Sequence, residues 1–154
     1  MAIVELDKII EGIELQSDET VSYLNKKTGE VVTITDQEFS AAEDNEPIEH
    51  FPEWEHENIK TAKEILETDD YISLPSKFDI HEYNIMERFC LSITDEEIRD
   101  RMYRSIKGSG AFRRFKDNIH RYNIAEEWYK YRDEALKRIA IKWCEEKDIG
   151  FISK

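Results

Sequence analysis

The chain contains no run of about 18 apolar residues, so no helical membrane span is expected. Its opening, MAIVELDKII, has no basic stretch ahead of an apolar one and no small-residue cleavage site. No secretory leader is therefore expected, and the sequence reads as cytoplasmic. Cysteine is scarce. Cys90 and Cys144 each sit inside an apolar helical pattern, without the paired spacing of a disulfide or metal framework, and read as buried reduced thiols. Glycine and proline are sparse too, at 5 and 3 residues, so each one that breaks a pattern is informative. Basic residues are in deficit: 22 Lys and Arg against 35 Asp and Glu give a net charge of −13, whose summed field repels polyanions in general. There is no internal repeat and no low-complexity segment.

What is present suffices for one core. The chain has 154 residues, 40% of them hydrophobic, including Phe 7, Tyr 7 and Trp 3. Folding a chain of that length buries roughly two-thirds of its extended surface, and a single domain is expected. The charge is unevenly spread. Residues 1–98 carry 7 basic and 26 acidic side chains, net −19, whereas residues 99–142 carry 13 and 6, net +7. The sequence thus divides into an acidic α/β portion, 1–98, and a basic helical portion, 99–147.

Apolar periodicity over Ile3–Ile13 predicts a short first helix. Val21–Leu24 and Val31–Ile34 flank NKKTGE, with Gly29 able to take a positive φ, which predicts a β-hairpin. Thr35 with Glu38 has capping-box spacing and opens a second, short helix. Residues 41–57, AAEDNEPIEHFPEWEHE, carry two prolines and dense acid and read as a mobile acidic surface connection. A helix follows over about Trp54–Thr68, with Ile59, Ala62, Ile65 and Leu66 as its stripe. YISLP then supplies a third strand for the hairpin, which alone is marginal in water.

The remainder reads as helical. Asp79 with Glu82, Thr94 with Glu97, and Asn123 with Glu126 repeat the cap-plus-acid spacing at three helix starts. Ile80, Tyr83, Met86 and Cys90 share one face, and Ile98, Met102 and Ile106 another. Phe112, Phe115, Ile119 and Tyr122 form a stripe after a glycine turn. The longest helix spans about Ile124–Lys147 with Trp128, Tyr131, Ala135, Ile139 and Trp143 along it. DIGFISK ends as a frayed tail or a short strand. The fold class is α+β: a mostly helical domain with a small antiparallel sheet near its N-terminus.

The stretch GSGAFRRFKD carries the candidate site. Gly108 and Gly110 permit a left-handed cap and close backbone approach, and Ser109 offers an N-cap or an anion contact. The following helix presents free N–H groups and the positive end of its dipole. Arg113, Arg114 and Lys116 lie in or just past that first turn, where cations are unfavourable unless something negative compensates them. A phosphate or carboxylate satisfies both. The structural alternative is an ion-pair ladder, since Asp117 lies four residues from both Arg113 and Arg121, with acids of residues 1–98 absorbing the remaining charge. GSG has neither the Walker spacing nor a preceding strand, so it is no nucleotide fingerprint. Helix, short glycine turn and basic helix also trace a helix-turn-helix outline, against which the two phenylalanines and the acidic total weigh. Arg113, Arg114, Tyr129 and Arg132, with Trp128, offer arginine and aromatic faces for RNA.

His50 and His56 stand among Glu49, Glu53, Glu55 and Glu57, but their spacing matches no zinc signature and a proline interrupts it; a solvated acidic loop is the reading, and no metal or cofactor is expected. His81 and His120 read as surface or capping residues. No nucleophile, base and orienter can be named together, so the reading leans away from an enzyme.

GSGAFRRFKD followed by EEWYKYRDEAL resembles a bacterial family, uncharacterised protein family 0158. The resemblance rests on Gly108, Gly110, Phe112, Arg113, Phe115, Lys116, Asp117, Trp128, Tyr129, Arg132 and Trp143, and on the hairpin YLNKKTGEVV, where a Tyr precedes Thr-Gly-Glu. It spans most of the chain and implies a bacterial cytosolic protein of one domain. It brings no activity and no catalytic residues. The expectation from the residues is a non-enzymatic binding module. Its glycine turn and basic helix, through Gly108, Ser109, Gly110, Arg113, Arg114, Lys116, Arg121, Trp128, Tyr129 and Arg132, take an anionic group on RNA, a nucleotide or an acidic protein. The alternatives are a structural or interaction protein with the basic block paired internally and, more remotely, a hydrolase with a metal at His50 and His56.

Overall fold

A computed structural model of the chain describes residues 2–153. In order the elements are β1 (Ile3–Glu5), α1 (Leu6–Leu15), β2 (Thr20–Asn25), β3 (Val31–Thr35), α2 (Asp36–Glu43), a 3-10 turn (Ile48–His50), α3 (Glu53–Glu67) and β4 (Tyr71–Ser73). There follow α4 (Lys77–Ile80), α5 (Glu82–Ser92), α6 (Glu96–Ser105), α7 (Ala111–Arg121), α8 (Ala125–Glu146) and β5 (Gly150–Ile152). The protein is α+β and mostly helical, as its patterning predicts. It forms two compact units: Met1–Ile80 with Ile139–Lys154, and His81–Arg138.

The first unit holds both sheets. The hairpin pairs Tyr23 with Val32 and Leu24 with Val31, and β4 joins the other edge of β2 with Leu24 opposite Ile72. The turn closes because the Asn25 side chain accepts from the Lys27 and Thr28 amides, at 2.8 and 3.2 Å, and Gly29 adopts φ 80°. A Cβ on Gly29 would also stand 2.7 Å from the Ile3 carbonyl oxygen, so space and conformation both require glycine there.

One face of the three-stranded sheet meets α1 at Gly12, whose missing Cβ leaves room for Leu74 and whose carbonyl accepts from Ser22 Oγ at 2.7 Å. On the other face Ile34, Ala42 and Ala62 are buried, with Val32, Phe39 and Ile65 packed against them. Alternation along the strands creates these two faces, so helices cover both.

The Thr35–Glu38 capping box forms as its spacing predicts: Glu38 N–H donates to Thr35 Oγ1 at 3.1 Å, and Thr35 N–H to Glu38 Oε1 at 2.9 Å. Glu38 is only 2% exposed, and Asn58 Nδ2 donates to both its carboxylate oxygens.

Several sequence expectations are corrected here. Ile3 and Val4 belong to a strand, not to the first helix, because β1 pairs in parallel with β5, Ile3 opposite Gly150. The acidic connection shortens, since α2 runs to Glu43 and Pro52 is the N-cap of α3. Leu66 is 49% exposed and lies off the α3 stripe. Asp79 does not start a helix. It closes a box with Ser76, accepting from Ser76 N–H while its own amide donates to Ser76 Oγ, both at 3.0 Å. The α6 cap is Asp95 rather than Thr94, accepting from the Ile98 amide at 3.1 Å. Asn123 ends α7 instead of opening α8: at φ 57° it turns the chain so that Ile124 N–H reaches the Ile119 carbonyl at 2.8 Å.

The second unit is α5, α6, α7 and the part of α8 up to Arg138. Its core is aromatic. Phe89, Phe115 and Trp128 form a triangle of ring contacts with centroids 4.7–6.1 Å apart, joined by Tyr131. Met86, Cys90, Met102, Ile106 and Ile119 are buried in the same unit. The structural divide falls after Ile80, whereas the charge divide falls near residue 98, because the acids Glu82, Glu87, Asp95, Glu96 and Glu97 belong to the same unit as the basic helices. His81–Arg138 holds 13 basic and 11 acidic residues, net +2, and the remainder of the chain is net −15.

Candidate functional site

The turn from α6 to α7 is built from Ile106 to Gly110. Gly108 and Gly110 adopt φ 79° and 81°, the left-handed conformation expected of them. Gly110 is the N-cap of α7 and offers no side-chain cap; no acid occupies the first helical turn. The positive end of this helix therefore has no intrinsic compensation.

Arg114 folds back over the turn. Its Nε donates to the Ser105 carbonyl at 2.6 Å, Nη1 to the Ser109 carbonyl at 2.6 Å, and Nη2 to the Lys107 carbonyl at 2.7 Å. The first of these acceptors is the last residue of α6 and the others lie just beyond it, where carbonyls lack helical partners and the dipole is negative. The counter-charge that the sequence demands for Arg114 comes from main-chain carbonyls, not from acidic side chains. Gly110 fits the same device, since a Cβ there would come within 3.0 Å of Arg114 Nη1.

Other predicted residues divide between the interior and the surface. Trp128 is 6% exposed within the aromatic core. Arg132 bonds to Glu82 of α5 through Nε at 2.6 Å. Lys107 reaches Glu87 at 3.5 Å and lies 3.9 Å from the Tyr103 ring centroid, and its ammonium pKa is raised, chiefly by Tyr103. Gly108, Ser109, Arg113, Lys116, Arg121 and Tyr129 are exposed. No ion pair among the described residues reaches Arg113, Lys116 or Arg121, and the ladder expected through Asp117 does not form.

Phe112 departs from the core role that its spacing suggests. It is 52% exposed, touching Tyr83 edge-on with centroids 6.4 Å apart. The buried stripe of α7 is Ala111, Phe115 and Ile119, spaced by four, which turns Phe112 about 100° toward solvent. Counting from Ala111 rather than from the larger Phe112 is the signal that finds this in the sequence. The outer face of α7 thus carries Phe112, Arg113, Lys116, Asp117, His120 and Arg121.

Elsewhere, His56 Nε2 lies 2.9 Å from the Phe51 carbonyl oxygen, and among the described residues no three of His, Cys, Asp or Glu are placed to hold a metal ion. Sequence reasoning missed a cleft of about 450 Å³ in the first unit, between β4 and the end of α8, lined by Ile72, Leu74, Asp79, Lys142, Trp143 and Glu146 among others. Its Lys142–Glu146 pair, at 3.9 Å, is an exposed i,i+4 contact on α8. Cys90 and Cys144 are free and buried, and burial pushes both thiols up to about 11. They are protonated and poorly nucleophilic at neutral pH.

The sequence model of an uncharacterised protein family, UPF0158, matches residues 1–154. The chain belongs to this family. The match covers the α6–α7 turn and the hairpin alike, in agreement with the resemblance carried by those residues. No curated protein and no solved structure matches the chain. Membership in UPF0158 brings no substrate or partner, so function is argued from the site. No helix among the described residues is long and apolar enough to cross a membrane.

Proposed function

We propose that this UPF0158 protein is a non-enzymatic binding module that takes an anionic group on the outer face of α7. The observation that carries the reading is the contrast between neighbours. Arg114 is held by three carbonyls, whereas Arg113, Lys116 and Arg121 on the same helix are exposed and have no ion pair among the described residues. Cations beside an uncapped helix N-terminus are unfavourable in the free protein, and a bound anion relieves both at once. The contact group is therefore Arg113 and Lys116 with the first amides of α7, Arg121 standing in the last turn where the dipole favours a cation, while Gly108, Ser109, Gly110 and Arg114 shape the turn.

Internal pairing accounts for Lys107 and Arg132, which meet Glu87 and Glu82. It leaves the α7 cations unexplained, and for that reason a purely structural role ranks second. The test is amide chemical-shift mapping during titration with inorganic polyphosphate at about 50 mM salt. Shifts clustered on residues 111–121, lost in an Arg113→Ala/Lys116→Ala variant, are expected. Unchanged spectra, or equal shifts in the variant, reject the reading.

A further inference from the structure

We infer that the anionic partner is single-stranded RNA, with Phe112 as a stacking platform for an unpaired base; this rests on the proposed anion-binding role of α7 and goes further. Charge alone does not choose among a phosphate chain, an acidic peptide and a duplex. Phe112 does. It lies beside two of the unpaired cations, with Arg113 adjacent and Lys116 one turn on, and is 52% exposed although the core beneath α7 is already filled by Ala111, Phe115 and Ile119.

Its ring is held at one edge by Tyr83, and Tyr83 is itself anchored through its hydroxyl to the Ile106 carbonyl at 2.9 Å. Phe112 therefore rests on a ring tied to the same turn that Arg114 clamps. A buttressed aromatic flanked by cations suits a splayed base with its phosphates on either side. An acidic peptide satisfies the cations but gives the ring nothing to stack on, and a duplex keeps its bases stacked on one another. Unpaired bases are the ordinary condition of RNA loops and ends. The net charge of −13 limits the contact to a short stretch of strand.

The experiment is fluorescence anisotropy with a labelled 12-mer of single-stranded RNA at about 50–200 mM salt. Comparison ligands are inorganic polyphosphate of equal charge and a 12-base-pair duplex RNA. Single-stranded RNA is expected to bind most tightly. With Arg113 and Lys116 neutralising phosphates, log K should fall against log salt with a slope of about −1.4. Phe112→Ala is expected to weaken RNA binding about 5- to 100-fold and leave polyphosphate binding unchanged, with Phe112→Trp restoring the RNA affinity. Arg113→Ala/Lys116→Ala is expected to weaken both ligands and flatten the slope.

If polyphosphate or duplex binds as well as the single strand, or Phe112→Ala leaves RNA binding intact, the stacking inference is overturned and the anion-binding reading stands. If neither RNA nor polyphosphate binds, both are overturned together. Circular dichroism of each variant guards against misreading a folding defect as lost contact.

Discussion

Arg113 and Arg114 are sequence neighbours with opposite environments. Arg114 makes three short bonds to carbonyls around the α6–α7 turn, whereas Arg113 is exposed. Arg114→Ala is expected to lower stability by about 1–2 kcal/mol, because charge-assisted bonds are among the stronger ones but this group is only half-buried. For a chain of this size that is a fall in melting temperature of about 3–8 °C. Arg113→Ala should stay within about 0.5 kcal/mol of the parent. Thermal unfolding of the two variants side by side checks this, and equal melting temperatures would remove the structural role given to Arg114. Nothing in the sequence distinguishes the two arginines. The difference arises from the direction in which α7 leaves the turn, and only a folded chain defines that direction.

The thiols titrate at the same scale. Cys90 and Cys144 are raised to about 11 in the folded protein, against an ordinary thiol value near 8.5–9. The unfolded chain therefore loses these protons first. The contribution is complete below about pH 8.5 and is lost as pH rises toward 11, by up to about 2–3 kcal/mol for each thiol. Urea midpoints measured from pH 8 to 11 should fall more steeply for the parent than for a Cys90→Ala/Cys144→Ala variant. Parallel curves would mean that burial leaves the thiol pKa values unaltered.

Among the elements, α7 sets helix stability against binding. Its first turn lacks an acid and carries Arg113 where the dipole disfavours cations. Arg113→Glu should raise stability by about 0.5–1 kcal/mol in denaturant titrations while weakening polyphosphate binding. A variant that loses both, or gains both, contradicts the assignment of that position to a ligand. Element-level features were also the most legible ones. The β2–β3 hairpin, its partner β4 and the Thr35–Glu38 box all depend on residues close in sequence, and the structure contains them.

Two of the other three cap signatures shift for an equally local reason. Ser76, Asp79, Thr94 and Asp95 crowd the same few positions, and several of them satisfy the spacing rule at once. Spacing suggests a core role for Phe112, but the smaller Ala111 occupies the buried position and leaves the larger ring outside. The pairing of β1 with β5 had no sequence signal, since each strand is three residues long and the partners lie at opposite ends of the chain.

Across the whole molecule the acidic charge is concentrated in one unit, net −15, and the basic helices belong to the other, net +2. This partition lets an acidic protein keep an accessible cationic helix. Composition revealed the imbalance but located its border near residue 98, because counting charges cannot detect that α5, with Glu82 and Glu87, supplies partners for Arg132 and Lys107.

The β1–β5 pairing has a further consequence, for the order in which the chain acquires its contacts. Ile3 pairs with Gly150, so the hydrogen bonds of this strand wait on residues far along the chain. The parallel register also brings residues 2 and 153 to within about four residues' rise, roughly 13 Å. A circular permutant closed with a glycine–serine linker of about six residues and opened at the exposed Asn45–Glu46 bond should keep its helical spectrum. It should also refold faster than the parent, because its most distant strand pair has become a local one.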